Sequence, residues 1–393
     1  MSEWKEVSLK EITKLVIDYR GKTPLKLGGE WSNSGYRALS AKNVKTGIIV
    51  AEESIRYVDN DLYKKWMKDE VQRGDILITS EAPFGEVFFW NSDEKIVLSQ
   101  RLFDVRIKDD VCAQYVYYYM TSYPFQAELR SRASGTTVLG LKQPELLKTR
   151  VLLPDYDTQI KIASQLSEID DKIAVNRRIC ENLEAQAQAL FKHWFIDFEP
   201  FKDGKFVESE LGLIPEGWRV GTLGDIAEFK RGKTITKSDV KEGLIPVVAG
   251  GLEPAYYHNQ SNTSSRVITI SGSGANAGFT RMYYQPVWAS DCSFVDNAST
   301  SLLHTAYCYL IVNKKNVDAL QWGAAQPHVY AKDINKLLLA IAPLDVLNQF
   351  EELISGMFDL IEINDKETIR LATLRDTLLP KLMSGQIKLS EYE

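Results

Sequence analysis

An internal repeat constrains this chain more than any other feature. Trp4-Lys-Glu-Val-Ser-Leu9-Lys-Glu-Ile12 is answered by Trp218-Arg-Val-Gly-Thr-Leu223-Gly-Asp-Ile226, and RGKT at Arg20–Thr23 returns at Arg231–Thr234. The β-prone run GDILIT (Gly74–Thr79) has a counterpart in SRVITI (Ser265–Ile270). Each half then carries a Tyr-rich segment, from Tyr115 and from Tyr307, and an apolar run closed by Pro154 or Pro343. The order of parts is shared while identity is low, as in a diverged duplication. Such a chain folds as two like units, each with a core of its own.

A long helical pattern follows each proline. Residues at alternating steps of four and three are Ile162, Leu166, Ile169, Ile173, Asn176, Cys180, Leu183, Ala187, Leu190 and Trp194. The same steps 188 residues on give Phe350, Ile354, Met357, Ile361, Asn364, Thr368, Leu371, Arg375, Leu378 and Leu382. This spacing specifies a coiled-coil seam, although an amphipathic helix buried in a bundle produces a similar stripe. The pattern persists for roughly 37 residues, about 55 Å of helix, more than a small core requires. Both stripes carry Asn at the same step, a polar residue that sets register in coiled coils. In an antiparallel pair the two midpoints face each other, so Asn176 and Asn364 are expected to meet.

The chain divides into 1–155, 156–214, 215–343 and 344–393, with formal charges of +1, −4, +2 and −5 within the total of −6. Acid is concentrated in the helical segments. The globular segments are near neutral and would not grip DNA strongly alone. Short β runs alternate with turns in both, with helices expected at Ala113–Ser122, Pro124–Ser131 and Val317–Trp322. The stretch Phe198–Gly217 reads as a linker. The fold class is α/β (α+β): two repeated mixed-sheet domains separated by two long antiparallel helices, pseudo-two-fold symmetric.

Sites of chemistry are hard to find. The four cysteines, Cys112, Cys180, Cys292 and Cys308, form no CxxC pair, which argues against zinc and against a disulfide framework. The four histidines show no HExxH spacing. Gly272–Gly278 resembles a dinucleotide fingerprint, but a β-prone, proline-stopped stretch follows where a helix is required. RGKT lacks the glycine that a phosphate-binding loop needs five positions earlier, where Val16 and Ala227 stand. It remains either a basic turn that contacts DNA phosphate or a solvated turn. No metal site and no catalytic residue are expected. No apolar run reaches bilayer length and the N-terminus has no signal core, so no membrane association and a cytoplasmic location are expected.

Taken in order, these parts resemble the specificity subunit of type I restriction–modification systems. The resemblance rests on Trp4-x4-Leu9-x2-Ile12, RGKTP (Arg20–Pro24), GDILIT, LSQR (Leu98–Arg101) and the junction Leu152–Ile173. It continues through FKHWFIDFEPF (Phe191–Phe201), LGLIPEGW (Leu211–Trp218) and TLLPKLMSGQI (Thr377–Ile387). The second unit departs from it, with RGKTIT and with SDCSF (Ser290–Phe294) in place of LSQR. The resemblance implies a non-catalytic DNA reader. Its two target-recognition domains, 1–155 and 215–343, would each read half of a bipartite site in double-stranded DNA. Helical spacers 156–214 and 344–393 would set the separation and dock two methyltransferase subunits, with motor/nuclease subunits joining the complex. S-adenosylmethionine, ATP and Mg would be bound by those partners and no cofactor by this chain. A stand-alone DNA-binding protein and a coiled-coil protein scaffold are the rival readings.

Base readout calls for polar loop residues. The candidates are Arg20, Lys22, Thr23, Lys42, Asn43, Ser80, Arg101 and Lys142 in the first unit. In the second they are Arg231, Lys233, Thr234, Ser273, Asn276, Arg281, His328 and Lys332.

Overall fold

The computed structural model describes residues 4–135, 138–323 and 327–387. It divides into unit 1, residues 1–173 with 369–393, and unit 2, residues 174–368. Each unit thus takes one globular portion and a part of both long helices, a partition different from the four sequence segments.

Unit 1 contains β1 (Lys5–Ser8), β2 (Thr13–Asp18), β3 (Tyr36–Leu39), β4 (Val44–Lys45), β5 (Ile48–Ile49), β6 (Arg56–Val58), β7 (Ile76–Thr79), β8 (Val87–Phe89), β9 (Val97–Leu98), β10 (Leu102–Ile107) and β11 (Arg150–Leu153). A four-stranded antiparallel sheet has the order β2-β10-β7-β8. A three-stranded sheet has the order β6-β3-β9, with β9 parallel to β3, and β1 pairs with β11. Strand β7 is apolar without alternation because both of its faces are buried. Ile76 and Ile78 join Phe103 and Val105 in one core, while Leu77 and Leu102 join Trp66 in another.

Unit 2 repeats this plan. It contains β12 (Phe206–Ser209), β13 (Gly212–Pro215), β14 (Arg219–Thr222), β15 (Lys230–Arg231), β16 (Ile245–Val248), β17 (Tyr256–His258), β18 (Val267–Ser271), β19 (Thr280–Tyr283), β20 (Trp288–Ala289), β21 (Cys292–Asp296) and β22 (Leu338–Ile341). The sheets β15-β21-β18-β19, β17-β16-β20 and β14-β22 match β2-β10-β7-β8, β6-β3-β9 and β1-β11 strand for strand, while the β4-β5 hairpin of unit 1 has no counterpart among the described residues. The added hairpin β12-β13 lies in the stretch expected to be a structureless linker. That stretch is ordered by burial: Ile214 is in the core, and Phe198 and Phe201 pack on Trp218 with ring centroids 5.3 and 5.1 Å away.

The repeated Leu–x2–Ile motif has a local cause. Ser8 and Thr222 each cap a short helical turn, and the acid three residues on returns the bond: Glu11 accepts from Ser8 N–H at 2.7 Å and Asp225 from Thr222 N–H at 2.9 Å. Leu9 and Leu223 follow, fully buried. The match of GDILIT to SRVITI is one residue out. Ile78 pairs with Phe103 and Ile270 with Ser293, and Ile78 and Ile270 both face the helical core, so Ile78 corresponds to Ile270 rather than Thr269. A slip of one residue would turn every side chain to the wrong face.

Helices Ala113–Thr121 and Tyr123–Ser131 lie where expected. The helix expected at Val317–Trp322 is instead Leu303–Val312 followed by Lys314–Asp318, and Trp322 sits in a β-bridge with His328. Every residue from Leu303 to Leu310 is buried, so that helix has no polar face to give it a period.

The central helix, Tyr156–Phe195, and the C-terminal helix, Leu344–Met383, each have 40 residues, about 60 Å. Their portions pair antiparallel within each unit. In unit 2, Asn176 Nδ2 donates to Glu367 Oε2 at 2.7 Å, Cys180 Sγ lies 3.7 Å from Ile361 O, and Phe195 packs edge-on to Phe350 at 4.8 Å. In unit 1, Arg375 Nη1 donates to Asp170 Oδ1 at 2.8 Å, and Ile162 and Leu166 share a core with Leu382. Of the seam residues, Leu166, Ile173, Asn176, Ile354 and Ile361 are buried, while Ile169, Leu183, Leu190, Met357, Asn364, Leu371 and Leu378 are half-buried.

Asn176 and Asn364 do not pair. Asn364 Nδ2 bonds Leu360 O of its own helix at 2.7 Å, and the residue facing Asn176 is Glu367, three positions further on. The large rings of Phe191, Trp194 and Phe195 close around Phe350 and fix the stagger, which overrides matching of midpoints. Among the described residues no helix is long and apolar enough to cross a membrane.

Candidate nucleic-acid interface

Each unit has a cleft of about 440 Å³ beside the ends of its four-stranded sheet. The first is lined by Arg20, Ser80, Glu81, Arg101 and Lys142 among others, and the second by Arg231, Ser273, Asp291, His328 and Tyr330. The same backbone bonds build both. Ser80 N–H donates to Arg101 O at 2.8 Å, and Gly272 N–H to Asp291 O at 3.1 Å. Leu141 N–H donates to Ser80 O, and Val329 N–H to Gly272 O, both at 3.0 Å. Lys142 and Tyr330 occupy the residue before a short helix in each case. Position by position, Ser80 corresponds to Gly272, Glu81 to Ser273, Arg101 to Asp291 and Lys142 to Tyr330.

The linings differ in chemistry. In unit 1, Arg101 Nε contacts Glu81 Oε1 at 2.8 Å and its side chain stays 49% exposed. In unit 2, Ser273 Oγ donates to Asp291 Oδ2 at the same place. Arg20 is occupied: its fork meets Asp18 through two 2.8 Å bonds, Nη1 donates to Leu141 O at 3.0 Å, and the guanidinium lies 4.0 Å over the Phe103 ring. Three of its five N–H donors are thereby engaged inside the protein, and it walls the cleft.

Four sequence candidates of unit 1 gather in its cleft: Arg20, Ser80, Arg101 and Lys142. Ser80, however, is buried at 2% exposure. Asn43 is withdrawn as a base reader: it is buried, its Oδ1 accepts from Ser40, and its Nδ2 donates to Ala51 O and Ser54 Oγ. Lys22 is drawn inward, with Nζ 2.5 Å from Trp66 O and 3.7 Å from the Tyr19 ring centre. Burial, and then the charge of Lys68, lower its pKa below the usual lysine value. Thr23 Oγ1 accepts from Lys26 N–H in the turn after it, and Lys42 is exposed away from the cleft lining.

In unit 2, Arg231, Ser273 and His328 gather, and His328 stacks on Tyr330, whose ring Lys332 approaches to 5.6 Å. Lys233 and Thr234 are exposed beside the cleft, and Asn276 lies in the turn Gly274–Asn276. Arg281 Nη1 donates to Leu252 O at 3.3 Å, and its guanidinium lies over Tyr283. The two RGKT segments are not equivalent in space. Asp18 pairs with Phe103 where Arg231 pairs with Ser293, so the second motif starts two residues earlier along the shared strand. Glu81, Asp291 and Tyr330 were missed in the sequence. The departure of SDCSF from LSQR was the available signal, because it falls at the Arg101–Asp291 position.

Among the described residues no group of three His, Cys, Asp or Glu side chains could hold a metal ion. The cysteines are free thiols, and burial raises Cys292 to about 12.

Known proteins share this arrangement. The profile of the family described as Type I restriction modification DNA specificity domain matches residues 1–185 and 215–372. The chain is 30% identical over 342 residues to the type I restriction enzyme MjaIX specificity subunit of Methanocaldococcus jannaschii, covering 81% of this chain and 79% of that protein. It is 23% identical to the HindI specificity subunit of Haemophilus influenzae across 98% of this chain and all of that one (100%). The fold is similar to that of the type I restriction–modification S subunit from M. genitalium, with a TM-score of 0.58 and 17% identity over 99% of this chain and 97% of that one. With both halves matched and the duplicated fold alike, the chain belongs to the family of type I restriction–modification specificity subunits.

Proposed function

We propose that this chain is the non-catalytic, DNA-reading subunit of a type I restriction–modification complex. Each unit reads one half of a bipartite, asymmetric site, and the long helices set the spacer and dock two methyltransferase subunits. Motor/nuclease subunits join through the complex. S-adenosylmethionine, ATP and Mg belong to those partners, which carry out adenine methylation and cleavage.

One observation carries the reading: two clefts on a common backbone plan are lined by different donors and acceptors. Sequence readout needs side chains that differ where the base edges differ, on a scaffold that holds them alike. The near-neutral charge of the globular segments fits a subunit that shares phosphate contacts with partners. The test is methylome sequencing of cells that express the chain with its methyltransferase. A split, adenine-methylated motif is expected. A complex that forms yet methylates nothing in a sequence-dependent way overturns the proposal.

A further inference from the structure

We propose that Arg101 and Asp291 are corresponding specificity-determining residues. Arg101 donates to the O6/N7 edge of a guanine in one half-site, and Asp291 accepts from the N4 amine of a cytosine in the other. This rests on the DNA-reading function proposed above and names the residues that execute it.

Arg101 and Asp291 occupy one structural position, defined by the bonds from Ser80 N–H to Arg101 O and from Gly272 N–H to Asp291 O. The cleft walls formed by Leu141 and Val329 meet the neighbouring strand residues, Ser80 O and Gly272 O, through equal 3.0 Å bonds. The duplication has kept the backbone and reversed the sign of the side chain. Each side chain is also steadied by the corresponding neighbour, Glu81 for Arg101 and Ser273 for Asp291. Arg101 holds φ at +65°, a conformation unfavourable for a residue with a Cβ, and about half of its side chain faces solvent. A guanidinium that is fixed at one point and open elsewhere is preorganised for a planar, bidentate acceptor pair.

The other cations of the first cleft suit different tasks. Arg20 is held in place by the Asp18 carboxylate and Leu141 O, so its forked edge is already engaged, and Lys142 is an exposed point charge suited to phosphate. In the second cleft Asp291 is the carboxylate of the lining, and among base edges it is matched by an amine donor.

The test uses the full chain in complex with its methyltransferase subunits. Variants are Arg101→Ala, Asp291→Asn and the graft Glu81→Ser with Arg101→Asp. Methylomes are read alongside competition gel shifts against duplexes varied one base at a time. Arg101→Ala should lower preference for one guanine in one half-site by roughly 5- to 150-fold and leave the other half unchanged. Asp291→Asn should do the same for one cytosine in the opposite half. The graft should convert the guanine position to cytosine, and because the gel shift reads discrimination directly, loss of methylation does not hide the result. Unchanged discrimination at every position in all three variants overturns the assignment. If the wild-type complex itself shows no sequence preference, the DNA-reading function falls instead.

Discussion

Replacing Glu351 tests how unit 2 is tied to its helix. Its carboxylate accepts four bonds at the start of helix Leu303–Val312: from His304 N–H at 3.0 Å, His304 Nδ1 at 2.7 Å, Thr305 N–H at 2.9 Å and Thr305 Oγ1 at 2.6 Å. The side chains of His304 and Glu351 are only 8% and 14% exposed, so water cannot replace these bonds. Removing one partner of a buried charged network costs about 3–5 kcal/mol, because the remaining donors lose their acceptor without regaining solvent. Glu351→Ala should therefore lower the melting temperature of unit 2, residues 174–368, by about 6–20 °C. Glu351→Gln keeps the volume but turns an amine toward existing donors, and should fall between the variant and wild type. Burial alone would raise the Glu351 pKa. The bonds and charge of His304, together with those of Thr305, outweigh it and hold the carboxyl below the usual glutamate range. A depressed folded-state pKa gives stability that is present above the unfolded value of about 4.3 and is lost as pH falls through the folded value. The gap between wild type and Glu351→Ala should thus narrow below about pH 4. Urea unfolding across pH, with hydrogen exchange of the Leu303–Val312 amides, measures both effects. A loss below about 1 kcal/mol at pH 7 would refute the reasoning, since that is the worth of an exposed ion pair.

Asp104 is fully buried and neither carboxylate oxygen has a partner; burial, and then the charge of Asp75, raise its pKa well above the usual range. A raised pKa gives stability below the unfolded value that is lost as pH rises, so Asp104→Asn should stabilise unit 1 by about 1–3 kcal/mol at pH 8 and little at pH 4, read by urea unfolding. Exchanging residues 4–154 for the matching segment of a relative should change one half of the methylated motif only; a change in both halves would show that the units do not read independently. Inserting one heptad after Ile173 and another after Thr368, at the boundary between the units, should widen the methylated motif's spacer by about 10 Å, roughly three base pairs. An unchanged spacer with full activity would show that the helices do not set the distance.

The sequence by itself determined the duplication, the order of its parts and the two long helices. Those signals are local or strictly periodic: a capped turn before Leu9 and Leu223, an apolar step of three and four, and a proline closing each β run. Tertiary structure decided what those signals leave open. The helix Leu303–Val312 is buried on all sides and so carries no period, and the hairpin Phe206–Pro215 is ordered by packing of neighbouring rings around Trp218 rather than by its own pattern. Facing of the helices followed the rings around Phe350, which placed Glu367 opposite Asn176. The candidate site was legible only as a set of polar residue types. Arg20 and Asn43 satisfy internal partners that spacing cannot reveal, as Leu141 O lies 121 residues from Arg20. Arg101 and Asp291 acquire their correspondence from strand pairing, since hydrogen bonds between distant segments define a shared position that residue identity, reversed in charge, conceals.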